Sequence, residues 1–302
     1  MRIFLENAKL HTNRGFSVFA RNLIRALEKK GHSFIHSFKD VDIQLAFVFN
    51  NNFSKDVPIV QRLDGIYFNT CVNYKTKNRG IQESYRKSKA VIIQSEFDRR
   101  VINNFFGKHQ DTFIINNGTD IDVLKNIKPL EDRRFDKFEN IWASSARWIR
   151  PNKRLTENVR YFLEHSSSKD CMAIDGLWGE HLIKSDRIFH LGELPWDQHI
   201  GLLKKAKYFI HLAIADHCPN SVVEARSCGC RVICSSLGGT EEIAGEDAIV
   251  IEDMEWDYKT PFNHNKPPKL DFSKTRKGKY NKSLDINDVA DQYVKVFEIA
   301  KK

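Results

Sequence analysis

The stretch Lys207–Ala244, KYFIHLAIADHCPNSVVEARSCGCRVICSSLGGTEEIA, limits the possible folds more than any other part of the chain. Tyr208–Ala213 is a short, β-rich apolar run, broken by Pro219 and Asn220. Ser221–Ser227 has helical spacing and stops at Gly229. Arg231–Cys234 is a second apolar run, closed by Ser235, Ser236, Gly238 and Gly239. A strand, helix and strand of these lengths make a βαβ unit, and hence a parallel sheet. Ligands of such sheets sit beyond the carboxyl ends of the strands. Both loops here lie at carboxyl ends, so Asp216, Asn220, Ser221, Glu224, Gly238, Gly239 and Glu242 are expected around one crevice. The helix start near Ser221 would aim unpaired N–H groups at it, which attracts phosphate. Ser221-Val-Val-Glu224 is also a capping box, in which Glu224 only satisfies the helix start.

The flanking sequence repeats the alternation of strand and helix. Arg2–Asn7 reads as a strand, and Lys9–Phe16 as a polar loop with Asn13, Arg14 and Gly15. Ser17–Lys30 reads as an amphipathic helix with Val18, Phe19, Leu23, Ile24 and Leu27 on one side, stopped by Gly31. Ile43–Phe49, Ile59–Leu63, Ala90–Gln94 and Thr112–Ile115 read as strands, with a helix opening at Ser95 and stopped by Gly107. Asp64 lies just beyond one of these strands, beside Gly65. It is placed to act as a base or to position a hydroxyl, or it is a turn aspartate before glycine. Lys125–Asn140 is polar and contains Pro129, as a linker would. Ile141–Ala146 opens a second set of elements, continued by strands at Met172–Gly176 and Ile188–Gly192 and a helix at Trp196–Ala206. No element is assigned in residues 255–282, and Ile286–Lys301 reads as a helix with Val289, Tyr293, Val296 and Phe297 apolar. The expected organisation of the 302 residues is therefore a domain over 1–128 and a second over 136–254. Residues 255–302 form an irregular tail whose helix packs back on the first domain.

Charge is uneven. Residues 1–135 hold 23 Lys/Arg against 14 Asp/Glu, whereas residues 136–254 hold 14 against 18. The basic first part suits an anionic partner. Within it, the run from Asn73 to Lys89 reads as a solvated basic face, or as a contact with a phosphate-bearing acceptor or an anionic membrane surface. The six cysteines lack metal-ligand spacing and read as small packing groups. Asp40-x-Asp42 and Asp120-x-Asp122 are set aside as metal sites, since one begins a strand and the other sits in an Asn-Gly turn. No apolar run reaches the ~18 residues of a membrane span, and the start MRIFLENAKLH has no signal-peptide core. A cytoplasmic protein, peripheral at most to a membrane, is expected.

Asp216 and Glu224 are acids separated by seven residues, followed by Ala225, Gly229 and Gly238-Gly239-x-x-Glu242. This resembles the nucleotide-sugar domain of GT-B glycosyltransferases, family 4 (glycosyl transferases group 1) in particular. There the motif is Glu-x7-Glu followed by a Gly-Gly-x-x-Glu loop. Ala90–Gln94 with Ser95, and Asn117-Gly118-x-Asp120, resemble the end of the family's first domain. Arg147-Trp-Ile-Arg-Pro-Asn-Lys153 resembles its diphosphate-gripping loop. The likeness is nearly continuous from Ala90 to Ile251 and patchy before it.

The resemblance implies an α/β fold of GT-B type, with two Rossmann-like domains whose parallel sheets face each other across a cleft. It implies transfer of a sugar from a nucleoside-diphosphate sugar (UDP- or GDP-linked) to an acceptor, with retention and without metal or other cofactor. Arg147 and Lys153 would bind the diphosphate, where fixed cations stabilise the charge of the leaving group. Glu224 would hold the ribose, and Asp216 would face the donor sugar with a carboxylate one methylene shorter than the family's. Asn220, Ser221, Gly238 and Gly239 would offer backbone N–H groups. Gly15 would lie against the donor phosphates, and Asp64 near acceptor or sugar. Arg154 stands where the family has glycine. Implied acceptors are a sugar, a glycan or an anionic lipid-linked group, with nucleic acid not expected. The rival readings are a GT-B nucleotide-sugar epimerase and a non-catalytic nucleotide-sugar-binding relative.

Overall fold

Apolar runs of four to six residues, separated by amphipathic helices, build two largely parallel sheets. In the structure, a computed structural model, residues 1–8, 10–11, 15–54, 56–178, 183 and 185–302 are described. They form two units. The first comprises Met1–Asp120, Trp256–Phe262 and Ser283–Lys302; the second comprises Ile121–Glu255 and Asn263–Lys282.

The first unit carries β1 (Arg2–Glu6), α1 (Gly15–Lys29), β2 (Ser33–Ile35), β3 (Ile43–Phe47), β4 (Ile59–Arg62), α2 (Tyr74–Lys87), β5 (Ala90–Ile93), α3 (Glu96–Phe106) and β6 (Thr112–Ile114). Its sheet has the order β2-β1-β3-β4-β5-β6, every pair parallel. β3, β4 and β5 are buried throughout, which is why they read as unbroken runs and not as alternation. Phe19, Leu23 and Leu27 of α1 meet Val289, Tyr293, Val296 and Phe297 of the C-terminal helix Ile286–Ala300, all at most 2% exposed. Burying one such side chain is worth about 1.5–3 kcal/mol. The same helix is held at its start by the Asn-Gly turn after β6. Thr119 N–H donates to Leu284 O (2.9 Å) and Ile286 N–H to Thr119 O (2.9 Å). A Cβ on Gly118 would stand 2.8 Å from Val289 Cγ2, so only glycine lets the turn approach this closely.

The second unit carries α4 (Ile121–Asn126), β7 (Asn140–Ser145), α5 (Leu155–His165), β8 (Asp170–Asp175), β9 (Ile188–Gly192), α6 (Trp196–Lys205), β10 (Tyr208–His211), α7 (Asn220–Ser227), β11 (Arg231–Ser235), α8 (Glu241–Ala244), β12 (Ile249–Ile251) and β13 (Thr275–Lys277). Its sheet has the order β13-β12-β11-β10-β7-β8-β9, parallel except where β13 pairs antiparallel with β12. The chain leaves β7 towards β8 and returns to its other side as β10. The order therefore reverses between β7 and β10, and a crevice opens there at the carboxyl ends. The α/β architecture is the one expected from the sequence. Burial pushes the Cys171 and Cys230 thiols up to about 12, which keeps them neutral packing groups. Among the described residues no helix is long and apolar enough to cross a membrane.

Candidate active site

The reversal between β7 and β10 brings the loops that follow them side by side. Three hydrogen bonds fix this. Ser144 Oγ donates to Ile210 O (2.7 Å), Leu212 N–H to Asn158 Oδ1 (3.2 Å) and Ile214 N–H to Asn152 O (2.9 Å). Pro151–Lys153 make one 3-10 turn, and Asn158 Nδ2 then ties down Lys153 O (3.0 Å) and Arg154 O (2.6 Å). Lys153 is thereby delivered to Asp216, and its Nζ donates to Asp216 Oδ2. The same oxygen receives His211 Nε2 at 2.8 Å. Burial lowers the His211 ring below its ordinary value, with Asp216 opposing, so the ring is neutral and donates through Nε2–H. Burial alone would raise the Asp216 carboxyl, but Lys153 and His211 outweigh it and hold it well below the ordinary carboxylate range. His211 was not among the residues singled out from the sequence. It lies inside an apolar strand, where a histidine reads as core.

Arg147 opens the loop that Lys153 closes. Its Nε is buried without a hydrogen-bond partner, and no ion pair to it occurs among the described residues. Arg154 has φ +53°, a left-handed backbone that glycine adopts at no cost. A side chain is tolerated here because its guanidinium grips Asp253 with both terminal nitrogens, at 2.5 and 3.0 Å. Arginine thus occupies a position where the resembling family has glycine, and it anchors the residue next to Lys153.

The Gly-rich loop after β11 packs on Asp216 from the other side. Gly238 has φ +145°, and a Cβ there would lie 2.7 Å from Asp216 O. Ala215 N–H donates to Leu237 O (2.7 Å) and Gly239 N–H to Asp216 O (2.7 Å), so the Gly239 N–H serves the loop. Glu242 pairs with Lys282 at 3.2 Å.

Helix α7 starts at Asn220, not Ser221, with Pro219 as its N-cap and no side-chain cap. The capping box does not form. Glu224 instead receives Trp196 Nε1 on Oε1 (2.7 Å), and its Oε2 lies 3.5 Å from His199 Nε2. His199 Nδ1 faces Asp175 Oδ2 at 2.5 Å, and Asp175 Oδ1 accepts from Ser145 Oγ at 2.7 Å. Burial disfavours a charged His199 ring, but Asp175 and Glu224 push it up to about 10. Neither Trp196 nor His199 was expected at the site; their i, i+3 spacing on α6 is the signal that could have paired them.

Asp64 belongs to the first unit. Its Oδ1 accepts from Arg62 Nη1 and Gln94 Nε2. Arg62 is 1% exposed, donates to Asn117 Oδ1 (2.7 Å) and lies 4.4 Å over the Phe19 ring. Asp64 is thus the counter-ion of a buried arginine as well as a turn residue. Asn13 and Arg14 lie outside the described residues, as does Gly179; Gly15 is the first residue of α1.

Residues 177–257 match the family described as glycosyl transferases group 1. A sucrose-phosphate synthase from Thermosynechococcus elongatus aligns with a TM-score of 0.64 at 13% identity, over 84% of this chain and 86% of that one. The catalytic domain of starch synthase IV from Arabidopsis thaliana, bound to ADP and acarbose, aligns with a TM-score of 0.64 at 10% identity, over 99% and 98%. Anabaena HepE, in complex with UDP-glucose, aligns with a TM-score of 0.59 at 14% identity, over 100% and 93%. No curated protein sequence is significantly similar. The chain therefore has the fold of the GT-B glycosyltransferases, and its residues 177–257 are similar to the glycosyl transferases group 1 family.

Proposed function

We propose that the chain transfers a sugar from a UDP- or GDP-linked donor to a sugar, glycan or anionic lipid-linked acceptor, with retention and without a metal ion. The observation that carries this reading is the meeting of Lys153 with Asp216 at the strand-order reversal, in a loop that also carries Arg147, whose buried Nε has no partner. Two cations there suit a diphosphate, and fixed cations stabilise the charge that builds on it as the sugar–phosphate bond breaks. Lys153 would exchange Asp216 for the diphosphate. Asp216 would keep the His211 contact and face the sugar. Glu224 would hold the ribose, and Asp64 would accept from the acceptor hydroxyl through Oδ2. The similarity of residues 177–257 to glycosyl transferases group 1 supports the same chemistry.

Thermal unfolding with UDP, GDP, ADP, CMP and dTDP and their common sugars, with and without EDTA, tests the donor. A ligand at about 100 times its dissociation constant adds about 2.7 kcal/mol of stability. A shift with one base, unchanged by EDTA, is expected. No shift with any of them would sink the reading. The pinning of Asp216 by both Lys153 and His211 also suits a binding protein without turnover. Asp216→Glu separates the two, since raised release of nucleoside diphosphate in the presence of acceptor excludes a binding-only role.

A further inference from the structure

Three ionisable side chains are buried in a row at the carboxyl edge of the second sheet: Asp175 at the end of β8, His199 on α6 and Glu224 on α7 are each at most 8% exposed. Both ring nitrogens of His199 face carboxylate oxygens, Nδ1 at 2.5 Å from Asp175 and Nε2 at 3.5 Å from Glu224. A neutral imidazole has one N–H and one lone pair, so it would turn a lone pair towards one of two acceptor-only groups. Only the imidazolium offers a proton to each. Without that charge two carboxylates would share a buried site with no cation between them, which is costly.

We propose that His199 is a positioning residue that holds Glu224 ionised and oriented, and so makes the nucleotide site select ribose over deoxyribose. This rests on the reading of Glu224 as the ribose-binding acid. Trp196 Nε1 fixes Oε1 and His199 faces Oε2, so the carboxylate plane is set from both ends by one face of α6. An ionised carboxylate only accepts hydrogen bonds. It therefore favours a sugar that brings two hydroxyl donors, and a ligand lacking one leaves the buried acid short of a partner. The groups that could change this charge are few. Asp175 lies on β8 and Glu224 on α7, while Cys228, at the end of α7 and facing Glu224, is pushed up to about 11 by burial and stays neutral. The two acids push His199 up to about 10 against its burial, consistent with a lasting cation at neutral pH.

The experiment is calorimetric binding of UDP, 2′-deoxy-UDP and 3′-deoxy-UDP, and of the same series for ADP and GDP, to the full chain and to His199→Gln, from about pH 6 to 9, a range in which an unperturbed histidine would lose its charge. Wild type is expected to prefer ribose with a flat pH profile. In His199→Gln the ribonucleotide should weaken by about tenfold or more and the deoxynucleotides less. The wild-type ratio at every pH in the variant would overturn the proposal. No binding of any ribonucleotide by wild type would overturn the functional reading on which it rests. Nitrogen chemical shifts of the His199 ring in the wild-type protein at about pH 8 give a check that no variant has to survive. Two protonated nitrogens are expected, and a neutral ring would overturn the proposal.

Discussion

Arg154 and Asp253 form a two-pronged ion pair, at 2.5 and 3.0 Å, with both side chains 1% exposed. The pair joins the loop that carries Lys153 to the end of β12. A third bond, from Arg154 Nη1 to Leu212 O at 3.3 Å, reaches the loop that carries Asp216. One side chain thus ties together three of the loops at the carboxyl edge.

Removing its partner leaves a buried guanidinium without a counter-charge. Asp253→Ala is expected to cost about 3–5 kcal/mol, the size measured when one member of a buried pair is deleted. Urea denaturation checks it through the midpoint at unchanged slope. A loss within about 0.5 kcal/mol, as at an ordinary surface site, would show that the pair does not hold the loops.

Gly238 makes the opposite demand, for the absence of a side chain. A methyl at φ +145° would stand 2.7 Å from Asp216 O and 3.0 Å from Asp216 N. Gly238→Ala is expected to cost about 1–3 kcal/mol in backbone strain and to displace Asp216 from Lys153. Binding of the donor should weaken even at a temperature where the variant is fully folded. Unchanged donor affinity in the folded variant would separate the Gly-rich loop from the site.

The strand–helix–strand stretch from Lys207 to Ala244 was legible because parallel, buried strands are continuous apolar runs, and loops between them are marked by Pro219, Gly238 and Gly239. Lys153, Asp216 and Glu224 stood out through the resemblance of their loops to GT-B enzymes, and the fold brings Lys153 onto Asp216 and Trp196 onto Glu224. The partners that set their charge were not legible. His211 sits in an apolar run and His199 follows Asp197 and Gln198 on a helix, and only the fold shows that each faces a carboxylate. Helix α2 was read only as a basic run, because with Gly80 inside it and few apolar residues (Ile81 and Tyr85 are the large buried ones) its stripe is too sparse for periodicity to register. Strand β13 is three largely exposed residues, Thr275–Lys277, and exists because Ile249–Ile251 offers an unpaired edge. Nothing local in Thr-Arg-Lys encodes that.

The clusters around Asp216 and His199 should move the pH limits of stability in opposite directions. The Asp216 carboxyl is held below its ordinary value of 3.8. Its contribution is therefore complete above 3.8 and is lost as pH falls through the lower folded value. His199 is raised from 6.5 to about 10. Its contribution is complete below 6.5 and is lost as pH rises through about 10. Denaturation midpoints across pH should show Asp216→Asn converging with wild type at the acid end and His199→Gln converging at the alkaline end. Constant differences across the range would contradict the charge states assigned here.

The proposed function places both Arg147 and Lys153 on the diphosphate, yet their surroundings predict different penalties. Lys153 is the cation of a part-buried acid, so Lys153→Ala should lose stability as well as turnover, and should raise the Asp216 carboxyl towards its ordinary range. Arg147 makes no ion pair among the described residues, and its buried Nε has no partner to lose. Arg147→Ala should therefore leave the denaturation midpoint nearly unchanged while lowering turnover about 10²–10³-fold, the loss expected for one preorganised contact to developing charge. Steady-state rates and urea melts on the two variants decide between the roles. Near-normal turnover of Arg147→Ala would remove it from the diphosphate site, and equal destabilisation of both variants would mean that Arg147 serves the fold.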